Sequence, residues 1–171
     1  SEALSLYGVF TGMALPCILF PSTVTSSASV ILMPSVAEMQ ALGHHKKIRY
    51  ITRTTCTACI LLGSLCTTVF YFGGNFAGTI LFHNTDAGLY IRTLSFICPF
   101  LYTNIALTSI LNGLGKTGTT LVHSVLGILL RISFVIFAIP VLGIRGYLYG
   151  LLLSEILLSL LHIYALYHME F

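Results

Sequence analysis

Charge is scarce in this sequence. Of its 171 residues, 8% are Asp, Glu, Lys or Arg and 56% are hydrophobic, and the mean hydropathy is +0.95. Soluble domains carry about 25% charged residues, so the chain lacks the polar cover that water would require, and a soluble fold is excluded. No charged side chain falls between Glu2 and Glu38. The net charge of +3 comes from basic residues bunched in one place, which speaks for membrane orientation rather than nucleic-acid binding. Groups that would signal chemistry are also missing. Cys17, Cys56, Cys59, Cys66 and Cys98 lie in apolar runs, and Cys56-Thr-Ala-Cys59 has no second pair; packing is the expected role. His44-His45 has no acidic or cysteine partner nearby, so no metal site is expected there. Gly113-Leu-Gly-Lys-Thr-Gly118 departs from the phosphate-loop pattern. His123 and His162 read as lone helix residues, and with no nucleophile–base pair or paired carboxylates we expect no enzyme and no cofactor. The chain opens with Ser1, and no basic segment with a short apolar core precedes the first apolar run. We therefore expect a part of a longer protein.

What remains is a series of long apolar runs. The first, from Tyr7 to Pro34, would reach about 40 Å as a helix, more than the ~30 Å hydrocarbon core. We expect an all-α, polytopic membrane bundle in one domain, with five spans over about 7–37, 54–72, 89–114, 119–142 and 147–167. Between the first two spans, residues 39–53 hold Lys46, Lys47, Arg49 and Arg53, half of the eight Lys and Arg. We expect this loop to be cytoplasmic. Gly73-Gly74-Asn75 marks a break after the second span, with 76–82 lying at the outer interface.

Two polar features stand out inside the spans. Pro16 and Pro21 interrupt the first, followed by hydroxyls that include Ser22, Thr25, Ser26 and Ser29. A carbonyl freed by proline must be satisfied by protein or water. The tract is either a small-residue packing surface or the hydrated wall of a cavity. Asn104, Thr108 and Asn112 are spaced four apart and share a helix face. These nine residues are the substrate-cavity candidates. The second feature is Arg131 and Glu155, charges that cost about 2.5–3.5 kcal/mol each at a span centre. The last two spans are antiparallel neighbours and place both at similar depth, so we expect a direct pair. It serves either as a clamp or as part of a substrate or ion path.

The order Gly12-Met-Ala-Leu-Pro16, Phe20-Pro21, Ser29-Val-Ile-Leu-Met-Pro34-Ser-Val-Ala-Glu38, then Pro99-Phe-Leu-Tyr102, Ser109-Ile-Leu-Asn-Gly-Leu-Gly115 and Ile139-Pro-Val-Leu-Gly-Ile-Arg-Gly146 resembles the polysaccharide-exporter and lipid-flippase branch of the MATE/MOP superfamily. Within it the pattern is most similar to the stage V sporulation protein B-like proteins, with lipid II flippases as near relatives. The resemblance implies a second-lobe fragment of a two-lobe transporter, partnered by a missing N-terminal lobe. It implies movement of a lipid-linked oligosaccharide or peptidoglycan precursor across a bacterial plasma membrane, for cell-wall or spore-wall assembly. The expected partners are membrane lipids and the lipid-linked glycan, not nucleic acid. The first span lacks the basic character of the lipid II flippase cavity, which leaves other polyprenyl-diphosphate sugars open. The alternatives are a cation-coupled multidrug exporter and a non-transporting membrane scaffold.

Overall fold

A proline within an apolar run removes an N–H and pushes away the carbonyl four residues back. The first and third apolar runs of this chain are shaped by how that cost is met. A computed structural model describes residues 2–169. Five helices in it are long and apolar enough to cross a membrane: α1 (Glu2–Leu19), α3 (His45–Leu81), α4 (Thr85–Gly113), α5 (Thr117–Phe137) and α7 (Ile144–Tyr167). A more polar helix, α2 (Ser22–Ala41), follows α1, and a single turn, α6 (Ile139–Leu142), joins α5 to α7. The described residues contain helices and turns but no strand. The protein is an all-helical membrane bundle.

The first apolar run is not one helix over 7–37. It widens into a π-helical turn at Phe10–Ala14 just ahead of Pro16, and it breaks at Phe20-Pro21 before α2 begins. Both departures make room for a ring and a missing donor. Hydroxyls then cover three successive carbonyls at the break. The buried Tyr102 phenol donates to the Ile18 carbonyl at 3.0 Å. Ser22 Oγ donates to Leu19 O at 2.6 Å, and Thr23 Oγ1 to Phe20 O at 2.8 Å. The same logic holds in α4. Pro99 cannot donate to Ser95 O, the helix tightens to 3₁₀ at Ser95–Ile97, and Thr67 Oγ1 of α3 donates to that carbonyl at 2.7 Å.

Helix α4 is the axis of the bundle. The α1–α2 pair lies along it in the same direction: Phe10 meets Tyr90 edge-on, and Met33 abuts Gly113 the same number of residues further along. Helix α3 lies against it antiparallel. Two apolar clusters result, one around Phe10, Ile18, Ile91, Cys98 and Tyr102, the other around Val36, Ile48, Leu107, Ile110 and Leu166. Large side chains such as Phe72, Phe137 and Val141 point outward and are more than three-quarters exposed, as a lipid-facing surface should be.

Three further expectations are corrected. Helix α3 does not break at Gly73-Gly74-Asn75; it continues to Leu81, so 76–82 is largely helix rather than a separate interfacial piece. These glycines are not all breakers. A Cβ on Gly78 would sit 2.5 Å from the Gly88 nitrogen, and one on Gly74 2.6 Å from Arg92 Cγ, so they let α3 and α4 approach backbone to backbone. Second, the basic segment 39–53 is mostly helix. Only Leu42–His44 turn, with Gly43 at φ 72° and His44 N donating to Met39 O at 2.9 Å, the pattern of a glycine-terminated helix end. Lys46, Lys47, Arg49 and Arg53 occupy the first turns of α3. Third, the helix of the fourth run ends at Phe137 rather than 142. Pro140 follows in the short α6, and Gly143 takes φ 65° to reverse the chain.

The glycine contacts predict a contrast. At Gly63 a new Cβ would fall on the Pro99 backbone, whereas at Gly73 nothing lies within 4 Å. Gly63→Ala should lower stability by about 1–3 kcal/mol through overpacking. Gly73→Ala should be neutral or stabilising by about 0.5–1 kcal/mol. Thermal midpoints of the purified variants in detergent test this; equal effects would refute the close-approach reading.

Candidate functional site

On α4, Asn104, Thr108 and Asn112 form a stripe. On α5 the polar positions Thr120, His123 and Arg131 recur at helical spacing, and on α7 Ser154, Glu155, Ser159 and His162 do the same. The structure brings the three stripes together into a polar seam that extends about 12 Å along α4 at 1.5 Å per residue.

At its deep end Arg131 Nη2 lies 3.1 Å from Glu155 Oε1. Its Nε donates to Ser154 Oγ at 3.0 Å, and that hydroxyl donates on to Leu151 O at 2.8 Å. Asn104 Nδ2 donates to the second carboxylate oxygen of Glu155 at 2.7 Å and to its backbone carbonyl at 3.0 Å. Ser159 Oγ donates to Asn104 Oδ1 at 2.9 Å, which fixes which way the amide points. Both carboxylate oxygens are therefore engaged. The Glu155 side chain is 12% exposed and the Arg131 side chain 34%, so the arginine reaches from the seam toward its surroundings. Four residues further along α4, Thr108 Oγ1 is 3.1 Å from His162 Nε2. His162 Nδ1 in turn is 2.8 Å from His123 Nδ1. At the near end Thr120 Oγ1 donates to Asn112 Oδ1 at 2.8 Å.

His123 and His162 are thus not lone residues, as their spacing along the chain suggested, but partners across the α5–α7 interface. Ser154, Ser159, Thr120 and Tyr102 were also missed as members of polar networks. Comparison of the stripes on three helices would have picked out Thr120, Ser154 and Ser159; Tyr102, set among apolar residues, gives no such signal.

The first-helix candidates divide. Ser22, Thr25 and Ser29 are buried on the side of α2 that packs against α4, and the Thr25 and Ser29 hydroxyls find no hydrogen-bond partner among the described residues. Pro16 and Ser26 are exposed and Pro21 half-buried. Asn104, Thr108 and Asn112 face α5 and α7 rather than the hydroxyl tract. Of the basic residues, Arg49 and Arg53 line a cavity of about 460 Å³ with Thr52, Leu107, Ile163 and Leu166, while Lys46 and Lys47 are exposed. Among the described residues no group of three or more His, Cys, Asp or Glu is placed to hold a metal ion.

No protein-family model matches the chain, and no solved structure matches it significantly. It is similar to two proteins of Bacillus subtilis (strain 168). It is 24% identical to Stage V sporulation protein B over 162 residues, 94% of this chain and 31% of that protein. It is 27% identical to Sporulation protein YkvU over 167 residues, 95% of this chain and 37% of that protein. The chain therefore spans about a third of the length of these curated relatives, and the similarity covers nearly all of it.

Removing the Asn104 amide strands Glu155 Oε2 in a buried site and leaves the Ser159 hydroxyl only the longer bond to Phe100 O at 3.3 Å. Asn104→Ala should cost about 1–3 kcal/mol. Asn112→Ala, at the half-buried end with one side-chain bond, should cost clearly less. Denaturation midpoints of the two variants under one condition check the order; a reversed order would contradict the seam described here.

Proposed function

We propose that this chain forms one lobe of a multi-pass transporter of the bacterial plasma membrane. The transporter moves a lipid-linked oligosaccharide or peptidoglycan precursor across the bilayer by alternating access between two lobes, the other lobe lying outside this chain. The observation that carries the reading is the bent first crossing. Its α2 half packs one face on α4 through Ser22, Thr25 and Ser29, and leaves Thr23, Ser26 and Ser27 open on another. Broken helices with polar backbone and side chains beside a cavity recur at transporter binding sites. Similarity to Stage V sporulation protein B along 94% of the chain supports a role of this kind in wall or spore assembly, and so does the resemblance of the Pro-rich pattern to the MATE/MOP lipid flippases. Such transport makes and breaks no covalent bond and needs no cofactor of the protein's own.

Two structural features bear on the details. The turns at 42–44 and 114–116 lie at one end, joined where Gln40 Nε2 donates to Leu114 O at 3.3 Å. That end carries Lys46, Lys47, Arg49, Arg53 and Lys116. In the proposed orientation it faces the cytoplasm. The Glu155 carboxylate is held by Arg131 and Asn104, which leaves it poorly placed to bind a drug cation and favours the lipid-linked substrate over a multidrug exporter.

The test is complementation. The full-length protein is expressed in bacteria depleted of their own lipid II flippase, with membrane insertion confirmed. Rescue of growth is expected, and conversion of Ser26 to Leu on the open face should weaken that rescue without lowering the amount of protein in the membrane. Absence of rescue at normal membrane levels would argue against lipid II and leave another lipid-linked glycan or a scaffold role.

A further inference from the structure

We infer that His123 and His162 tie α5 to α7 by sharing one Nδ1 hydrogen, and that protonation of both rings to imidazolium releases the tie. The inference does not depend on the transport reading. It rests on one contact: the two Nδ1 atoms face each other at 2.8 Å. At that separation one nitrogen must carry the hydrogen and the other must offer its lone pair, because a neutral imidazole has one of each and an imidazolium has two donors. A single proton closes the bond. If both rings become imidazolium, two N–H groups and two positive charges point at each other.

The site gives the rings little room to accommodate this in place. His162 is fully buried and His123 is 8% exposed. The other nitrogen of His162 is engaged by Thr108 Oγ1 at 3.1 Å, so the ring is held at both ends. Helix α4 faces the pair with the Thr108 hydroxyl and, a turn away, the Asn112 amide, neither of which titrates. On α5 and α7 the charged groups along the seam are Arg131 and Glu155, two turns deeper and bonded to each other. Arg49, Arg53 and Cys56 of α3 line a separate cavity that shares Ile163. Among the described residues the pair has no carboxylate beside it in the seam to offset a second charge.

The rings therefore separate when both are protonated. The Arg131–Glu155 pair holds α5 to α7 deeper in the seam, so the opening is confined to the end nearer Thr117 and Tyr167. Near that end Thr120 of α5 is bonded to Asn112 of α4 and not to α7.

The test uses the full-length protein in lipid bilayers with ¹⁵N-labelled histidine. Near neutral pH, solid-state NMR should show one protonated and one bare Nδ1 correlated directly through their hydrogen bond. On acidification both should become protonated as the correlation disappears. Nitroxide labels at the exposed positions Ser124 and Ile163 should move apart in the same step. His123→Asn, which keeps a polar group near the δ position but cannot take up a proton, should lose that acid-induced separation. The proposal fails if no Nδ1–Nδ1 correlation is present near neutral pH, or if His123→Asn separates with the same pH dependence as the wild type. Should the variant not fold, the wild-type spectrum alone decides.

Discussion

A polar group within hydrocarbon has no water to turn to, so the groups that the backbone and side chains expose are met by other parts of the protein, the buried Thr25 and Ser29 hydroxyls excepted among the described residues. Three of the four prolines in the first and third apolar runs illustrate how. Around Pro16 and Pro21 the carbonyls of Ile18, Leu19 and Phe20 are taken by Tyr102, Ser22 and Thr23. At Pro99 the Ser95 carbonyl is taken by Thr67 from the neighbouring helix. Two of these donors, Tyr102 and Thr67, come from other helices. The bends in α1–α2 and α4 are thus parts of helix–helix interfaces, and each bend is held by the helix beside it.

The same constraint accounts for the seam. Arg131 and Glu155 compensate each other, Asn104 takes up the second carboxylate oxygen and Ser154 accepts from the Arg131 Nε. Polar seams of this kind specify which helices are neighbours, because a shifted register would strand charges in an apolar environment. Close approach does the rest. Gly63, Gly74 and Gly78 bring α3 and α4 together, near enough for the Thr67 hydroxyl to reach across, and Gly127 of α5 makes room for the Leu158 side chain.

Hydropathy alone was enough to find five membrane helices, since runs of apolar residues with few charges have no other stable home. It was a poor guide to where they end. Gly73-Gly74-Asn75 looked like a break because glycine is a helix breaker in water, yet next to Gly88 it serves contact. Lys46 to Arg53 looked like a loop because charge was equated with irregular backbone, yet these residues form the opening turns of α3. Spacing by four revealed that Asn104, Thr108 and Asn112 share a face, but not which helices that face would meet. For Ser159, His162 and His123 the information lies in the pairing of three helices, which no single stretch of the chain contains. The exposure of Thr23 and Ser26 on α2, beside buried Ser22, Thr25 and Ser29, likewise depends on how α2 packs and not on its own stretch of sequence.

The charges in the seam stabilise the bundle by matching each other and not by any worth of their own. A double-mutant cycle tests it most directly. Arg131→Met and Glu155→Gln are made singly and together, and thermal midpoints are measured in the same detergent. Each single change leaves a partner uncompensated in a partly buried site, so each should lower the midpoint more than the double change does. Losses that simply add in the double variant would show that the two residues are not coupled and would contradict the account.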